Sequence, residues 1–232
     1  MVRSSATTTR MWWLLSPSYS HFPFQDELPG TPMDLTESQA LLPPRPTALA
    51  QGLMREVIRT GDLVIDATAG NGHDTLFLAE CVGAGGRVLA FDVQATAIAA
   101  ARARVTAAGL AERVEFFQES HALMDTHAAP GTVAAVMFNL GYLPGEDHRL
   151  MTQATTTLQG LDCAAALLKA GGGLAVVCYP GHPGGEEESA AVEQWFAALA
   201  AQRWQIARYG AFATRRPAPF LLLGCRPASE LS

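Results

Sequence analysis

The sequence lacks a long hydrophobic run: nowhere do its 232 residues approach the ~18 apolar residues that a membrane-spanning helix needs. It also lacks an excess of positive charge. Sixteen basic against 22 acidic residues leave a formal charge of −6, so no global basic field recruits nucleic acid, although a local patch is still allowed. The four cysteines, Cys81, Cys163, Cys178 and Cys225, form no CxxC pair and have no nearby histidine partner. That pattern argues against a metal site or a disulfide framework and predicts reduced, mostly buried thiols. Charged residues are scarce at 16% and hydrophobic ones plentiful at 49%, as in a compact chain with a substantial core. No internal repeat or low-complexity block is present.

The first 24 residues lack any acidic side chain while carrying Arg3, Arg10 and many Ser and Thr, a composition compatible with an organellar transit peptide. The apolar piece Met11–Leu15 is too short for a secretory signal. The alternative is an unstructured extension, with Met33 as the start of a shorter protein. Residues 1–44 are therefore expected to form an extension, with no chemistry in residues 1–40, ahead of a single domain over 45–232. A cytoplasmic location follows, or organellar import if residues 1–32 are a transit peptide.

Thr47 after Pro46 reads as the N-cap of a helix that runs to about Arg59. Beyond Gly61, apolar strand-like runs alternate with helical stretches. The strands are Leu63–Ala67, Arg87–Asp92, Arg113–Gln118, Val133–Phe138 and Gly173–Tyr179; the helices lie near 74–82, 95–108, 151–169 and 187–201. Continuous apolar strands in βαβ alternation predict an α/β fold with a parallel sheet covered on both faces. Two last runs, Trp204–Tyr209 and Phe220–Cys225, leave no room for a crossover helix and predict an antiparallel pair at one edge.

The stretch Val64–Thr75 reads as a buried strand, a glycine turn and a helix start, a crevice that admits a ligand to the backbone. Asp92, twenty residues past Gly72, suits the two hydroxyls of a ribose. A dinucleotide fingerprint would need a third glycine, and here Thr75 stands in its place. Asp66 and Asp74 flank the loop and would repel a pyrophosphate. S-adenosylmethionine carries no phosphate but has an ammonium and a sulfonium, so it fits this loop better than NAD does. Ser120-His121, after the third strand, lie where an adenine edge would pass; a surface loop or helix cap is the alternative reading of His121.

The fourth strand ends in Asn139-Leu140-Gly141-Tyr142, and in a parallel sheet that end borders the reactive centre. Asn139 offers an amide oxygen to an amine and Tyr142 a flat face to a base. The segment resembles the Asn/Asp-Pro-Pro-Tyr loop of amino-methylating nucleic-acid methyltransferases, with different middle residues. The fifth strand ends in a Gly/Pro loop around His182, a candidate to hold substrate, orient Tyr142 or accept a proton. Glu186–Glu188 read as the acidic first turn of the next helix.

Taken together, Asp66–Thr75, Phe91–Gln94, Ser120-His121, Phe138–Gly145 and Gly181–Gly185 resemble the class I methyltransferase family labelled "putative rRNA methylase". Some of its members methylate 5-aminomethyl-2-thiouridine at the tRNA wobble position. The resemblance runs from about Pro46 to Arg226. It implies a Rossmann-like, seven-stranded, mostly parallel sheet with the last strand antiparallel, and S-adenosylmethionine as cofactor. It further implies tRNA, through its anticodon region, as substrate and partner. The implied cofactor contacts are Asn71, Asp74, Asp92, Gln94, Ser120 and His121, alongside Asp66, Gly70 and Gly72 of the loop. Arg149, Arg203, Arg208, Arg215 and Arg216 are available to meet phosphates, with the Arg215-Arg216 pair the best placed. No membrane partner is expected, and a homodimer is carried as the assembly to test. A small-molecule N- or O-methyltransferase is the competing reading, favoured by the acidic net charge; a non-enzymatic cofactor sensor is a third.

Overall fold

A computed structural model describes residues 43–141 and 154–228. Pro46 opens the first helix, α1 (Pro46–Val57), because its fixed φ suits a first turn and its missing N–H is not needed there. Arg45 occupies the N-cap in an extended conformation, so Thr47 lies inside the helix instead of capping it. The chain continues as β1 (Leu63–Asp66), α2 (His73–Val82), β2 (Arg87–Phe91), α3 (Ala95–Ala107) and β3 (Val114–Phe117). A short 3-10 turn over His121–Thr126 leads to β4 (Val133–Leu140). Then come α4 (Ala154–Leu167), β5 (Leu168–Cys178), α5 (Gly185–Ala200), β6 (Gln205–Gly210) and β7 (Phe220–Cys225). The expected alternation is present, with ends that differ by a few residues. The largest difference is β5, which starts at Leu168: Leu168 pairs with Val133, and the register then shifts so that Ala135 faces Gly173.

The strands form one seven-stranded sheet in the order β3-β2-β1-β4-β5-β7-β6. The first five are parallel, and β7 runs antiparallel to both β5 and β6. The final antiparallel pair is as expected, but β7 sits inside and β6 forms the edge. Composition explains this choice. Phe220–Cys225 is almost wholly apolar and mostly buried, whereas Gln205–Gly210 carries Gln205 and Arg208 and tolerates solvent.

Alternate strand residues feed two cores. Ile65, Leu89, Val136, Phe138, Leu140 and Val176 face α4 and α5, packing on Leu161, Val192 and Phe196. Val64, Val88, Ala135, Met137 and Val177 face the other way, toward Met54, Leu78 and Ala101 of α1, α2 and α3. Burial on both sides is why the strands read as unbroken apolar runs. Strand order reverses between β1 and β4, and such a switch point opens a crevice at the carboxyl ends of those two strands. Phe138 is 1% exposed at the centre of the α4–α5 core. Phe138→Ala is expected to lower unfolding stability by about 3–5 kcal/mol in a denaturant titration.

Candidate active site

At the switch point the chain leaves β1 without leaving the sheet. The Ala67 N–H donates to the Met137 carbonyl (2.9 Å) and the Ala69 N–H to the Phe91 carbonyl (2.8 Å), tying the loop to both flanking strands. Gly70 and Gly72 follow with φ of +50° and +75°. Gly72 also packs hard on α3: a Cβ there would stand 2.5 Å from Ala101 Cα, so both its backbone and its contact require glycine. The exposed Asn71 presents its carbonyl to Arg104 Nε at 2.7 Å.

Three carboxylates surround this loop, each with a different task. Asp66 lies beneath it, 1% exposed, with Oδ1 accepting from the Thr68 N–H (3.1 Å) and Oδ2 from the Thr75 hydroxyl (2.5 Å). Asp92, half-buried at the end of β2, accepts from the Gly70 N–H and the Gln94 N–H, both at 2.9 Å. Asp74 faces the crevice from the first turn of α2, taking Gln51 Nε2 on Oδ1 (2.7 Å) and Asn139 Nδ2 on Oδ2 (3.5 Å). Burial is the main cause that raises the pKa of all three; Asp74 raises Asp66 further, and the hydrogen bonds named here partly offset the effect. Asp66 is pushed up to about 7. Beside Asp92, the buried Gln94 Oε1 has no hydrogen-bond partner among the described residues.

Asn139, the penultimate residue of β4, is held from two sides. Its N–H donates to Thr68 Oγ1 at 2.7 Å, and its amide N–H reaches Asp74. Tyr179, the first residue past β5, lies beside the Asn139 side chain, whose influence partly offsets a rise in the phenol pKa. Burial and the nearby Asp74 push the Tyr179 pKa up. Gln51, Asp74 and Asn139 thus form one hydrogen-bonded string across α1, α2 and β4, with Tyr179 beside it just past β5. Sequence reasoning missed Gln51 and Tyr179 here. Gln51 was the one polar residue between the buried Ala50 and Met54 of α1, and Tyr179 sits at the end of β5 much as Asn139 ends β4, with Cys178 paired to Leu140.

The other expected positions have distinct surroundings. Ser120 Oγ accepts the Ala122 N–H at 3.2 Å and caps the 3-10 turn, while the His121 ring is buried edge-on to Phe138 at 5.4 Å. Burial lowers the His121 pKa, against the opposing effect of the Ala67 and Thr156 backbone. His182 folds back on its own turn, with Nδ1 3.0 Å from the Pro183 carbonyl and Nε2 2.9 Å from where a Cβ of Gly185 would be. Tyr142 and Arg149 lie outside the described residues. Glu186 and Glu187 are exposed in the first turn of α5, but Glu188 is buried and accepts the Thr157 hydroxyl at 2.7 Å, joining α5 to α4.

Arg215 and Arg216 are exposed in the loop between β6 and β7 and make no ion pair among the described residues. Arg208, expected to be available for phosphate, is already engaged: its Nε is 2.6 Å from Glu193 and its guanidinium lies 4.1 Å over the Phe220 ring. Arg203 precedes β6 at the opposite end of the sheet, where Gln205 pairs with Cys225 and Cys225 with Gly173.

The carboxylates make a prediction for the protein without ligand. Folded Asp66 keeps its proton up to about pH 7, whereas an unfolded aspartate loses it near ~4. The resulting stabilisation is complete below the unfolded value and is lost as pH rises through 7. Stability is expected to fall between about pH 4 and 7 by up to about 1.4 kcal/mol per pH unit, and Asp66→Asn to flatten that fall, as read by unfolding at a series of pH values.

Comparison with known proteins agrees with this geometry. A family model described as "Putative rRNA methylase" matches residues 88–224. The "tRNA (mnm(5)s(2)U34)-methyltransferase, chloroplastic" of Arabidopsis thaliana is 40% identical over 167 residues, which cover 68% of this chain and 61% of that protein. The chain therefore spans about three fifths of the length of that curated relative. Among solved structures, a "putative rRNA-methylase" from Clostridium thermocellum is 36% identical with a TM-score of 0.76, covering 80% of this chain and 99% of its own. A "putative methyltransferase" from Streptococcus mutans, solved in complex with SAH, is 30% identical with a TM-score of 0.72, covering 79% of this chain and 99% of its own. With its sheet order, its switch-point crevice and these matches, the chain belongs to the "Putative rRNA methylase" family and has the class I methyltransferase fold.

Proposed function

We propose that this protein is an S-adenosylmethionine-dependent N-methyltransferase acting on RNA. Its substrate is 5-aminomethyl-2-thiouridine at the tRNA wobble position, and its product is 5-methylaminomethyl-2-thiouridine. The observation that carries the reading is the hydrogen-bonded string Gln51–Asp74–Asn139 at the switch point, with Tyr179 beside it. The name of the Arabidopsis relative supports the substrate.

The residues present fit the cofactor. S-adenosylmethionine supplies a methyl group on a positively charged sulfur. Asp74 provides negative potential for that cation and for its ammonium, where a phosphate would be repelled, and the cation in turn favours ionisation of the deeper Asp66. Asp92 accepts from ribose hydroxyls, and the unpartnered Gln94 Oε1 accepts from an N–H of the nucleoside. Gly70, Asn71 and Gly72 allow close backbone approach, and Ser120 with His121 borders the adenine side.

On the acceptor side, Asn139 Nδ2 is committed to Asp74, which leaves Oδ1 to accept an N–H of the incoming amine. That contact holds the nitrogen lone pair toward the methyl, and positioning of this kind is the larger part of the rate effect. The amine must be neutral to attack, and desolvation between apolar strand ends favours that form. Burial and the nearby Asp74 push the Tyr179 pKa up, and Tyr179 is assigned to position Asn139. Tyr142 is assigned to the substrate base, His182 to substrate or proton handling, and Arg215 with Arg216 to tRNA phosphates. A small-molecule N- or O-methyltransferase is the second reading, on the strength of the net charge of −6. Residues 1–44 are assigned as an extension outside the catalytic domain. We assign the protein to the cytoplasm, or to an organelle if residues 1–32 direct import; a reporter fused to residues 1–44 decides. A homodimer is the assembly to look for by light scattering.

In tRNA from cells lacking the protein, nucleoside mass spectrometry is expected to find 5-aminomethyl-2-thiouridine accumulating in place of its methylated form. No accumulation removes the tRNA reading and leaves the small-molecule one. With the purified enzyme, Asn139→Ala is expected to lower kcat about a hundredfold and Tyr179→Phe about tenfold, while calorimetric affinity for S-adenosylmethionine is unchanged in Tyr179→Phe. An equal loss of cofactor affinity in that variant would instead assign Tyr179 to the cofactor.

A further inference from the structure

We propose that the loop between β6 and β7 docks an unpaired base, with Phe212 as its stacking platform and Arg215 and Arg216 on the flanking phosphates. The inference rests on the RNA reading above and deepens it: the substrate nucleotide is recognised in a single-stranded loop and not in a duplex. Four observations carry it. Phe212 is 97% exposed, while the next most exposed large apolar side chain among the described residues, Val93, is at 53%. A single exposed apolar residue needs no explanation, but this ring stands three residues from a pair of arginines with no ion-pair partner among the described residues.

The loop is also shaped. Ala213 takes a φ of +54°, the Thr214 hydroxyl donates to the Arg216 carbonyl at 2.7 Å, and Pro217 and Pro219 restrict the return to β7. Finally, the loop lies at the substrate end of the sheet. Phe220 pairs with both Gly210 and Cys178, so the loop emerges beyond the carboxyl end of β5, next to Tyr179. A Cβ on Gly181, in the loop that carries His182, would be 3.4 Å from the Pro217 carbonyl. In a chain of net charge −6, this is where exposed cations and an exposed ring coincide beside the crevice. A single strand offers phosphates and unstacked bases side by side, and an aromatic face with flanking cations matches that alternation; a duplex keeps its bases out of reach.

The test compares wild type, Phe212→Ala, Phe212→Trp and Arg215→Ala/Arg216→Ala in binding an anticodon stem-loop RNA and a fully paired RNA with the same number of phosphates. Phe212→Ala is expected to weaken stem-loop binding about tenfold and paired-RNA binding less than about twofold, with an unchanged unfolding temperature. Phe212→Trp should bind the stem-loop as wild type does. The double arginine variant should lower the salt-dependence slope for the stem-loop by about 1.4. Stem-loop binding unaffected by Phe212→Ala, or an equal loss on both RNAs, overturns the stacking role while leaving the RNA reading intact. Wild-type protein that binds neither RNA overturns both readings together.

Discussion

The carboxylate of Asp66 sits at the end of β1 with 1% of its surface exposed, and the geometry of the crevice depends on what satisfies it. Its two oxygens take the Thr68 N–H and the Thr75 hydroxyl, so one side chain joins the strand end to the first turn of α2 across the whole loop. A buried carboxylate is costly unless hydrogen-bonded, so these contacts confine the loop to one shape. Thr68, positioned in this way, presents its own hydroxyl to the Asn139 N–H on the next strand. The constraint at Asp66 therefore passes directly to the end of β4, where the acceptor amine is proposed to bind.

The same carboxylate sets the electrostatics. With Asp74 nearby and Asp92 contributing, Asp66 lies in a negative environment that burial makes unfavourable on its own. A cation in the crevice relieves it, and an anion would aggravate it. Asn139 and Tyr179 extend this arrangement toward β5: Asp74 accepts from the Asn139 amide, and burial together with the field of Asp74 raises the Tyr179 pKa. Loop shape, the proposed cofactor preference and the placement of Asn139 thus all trace to one partly buried acidic cluster.

Much of this was legible in the sequence, but unevenly. Unbroken apolar runs such as Val133–Phe138 betray a strand buried on both faces, because neither face needs a polar residue. The loop carboxylates Asp66, Asp74 and Asp92 were legible because turn, strand end and helix start are all local patterns. The separate tasks of the three were not. Asp66 is fully buried and Asp74 faces the crevice, yet both are aspartates beside the same glycines. The caps also misled. Thr47 is a good N-cap by type, but Pro46 is pre-set for the first turn and moves the boundary back by two residues.

By itself the sequence determined the layers, the parallel sheet, the antiparallel final pair, and the replacement of a third loop glycine by Thr75, because each is written in residue type and short-range spacing. Tertiary structure alone decided which distant side chains meet. Gln51 and Asn139 both reach Asp74, Glu188 holds Thr157, and Arg208 is taken by Glu193 and Phe220 while Arg215 and Arg216 are not. The physical reason is register. Strand pairing brings the ends of β4 and β5 together and inserts β7 between β5 and β6, and those alignments depend on side-chain packing across the whole sheet, which no local stretch encodes.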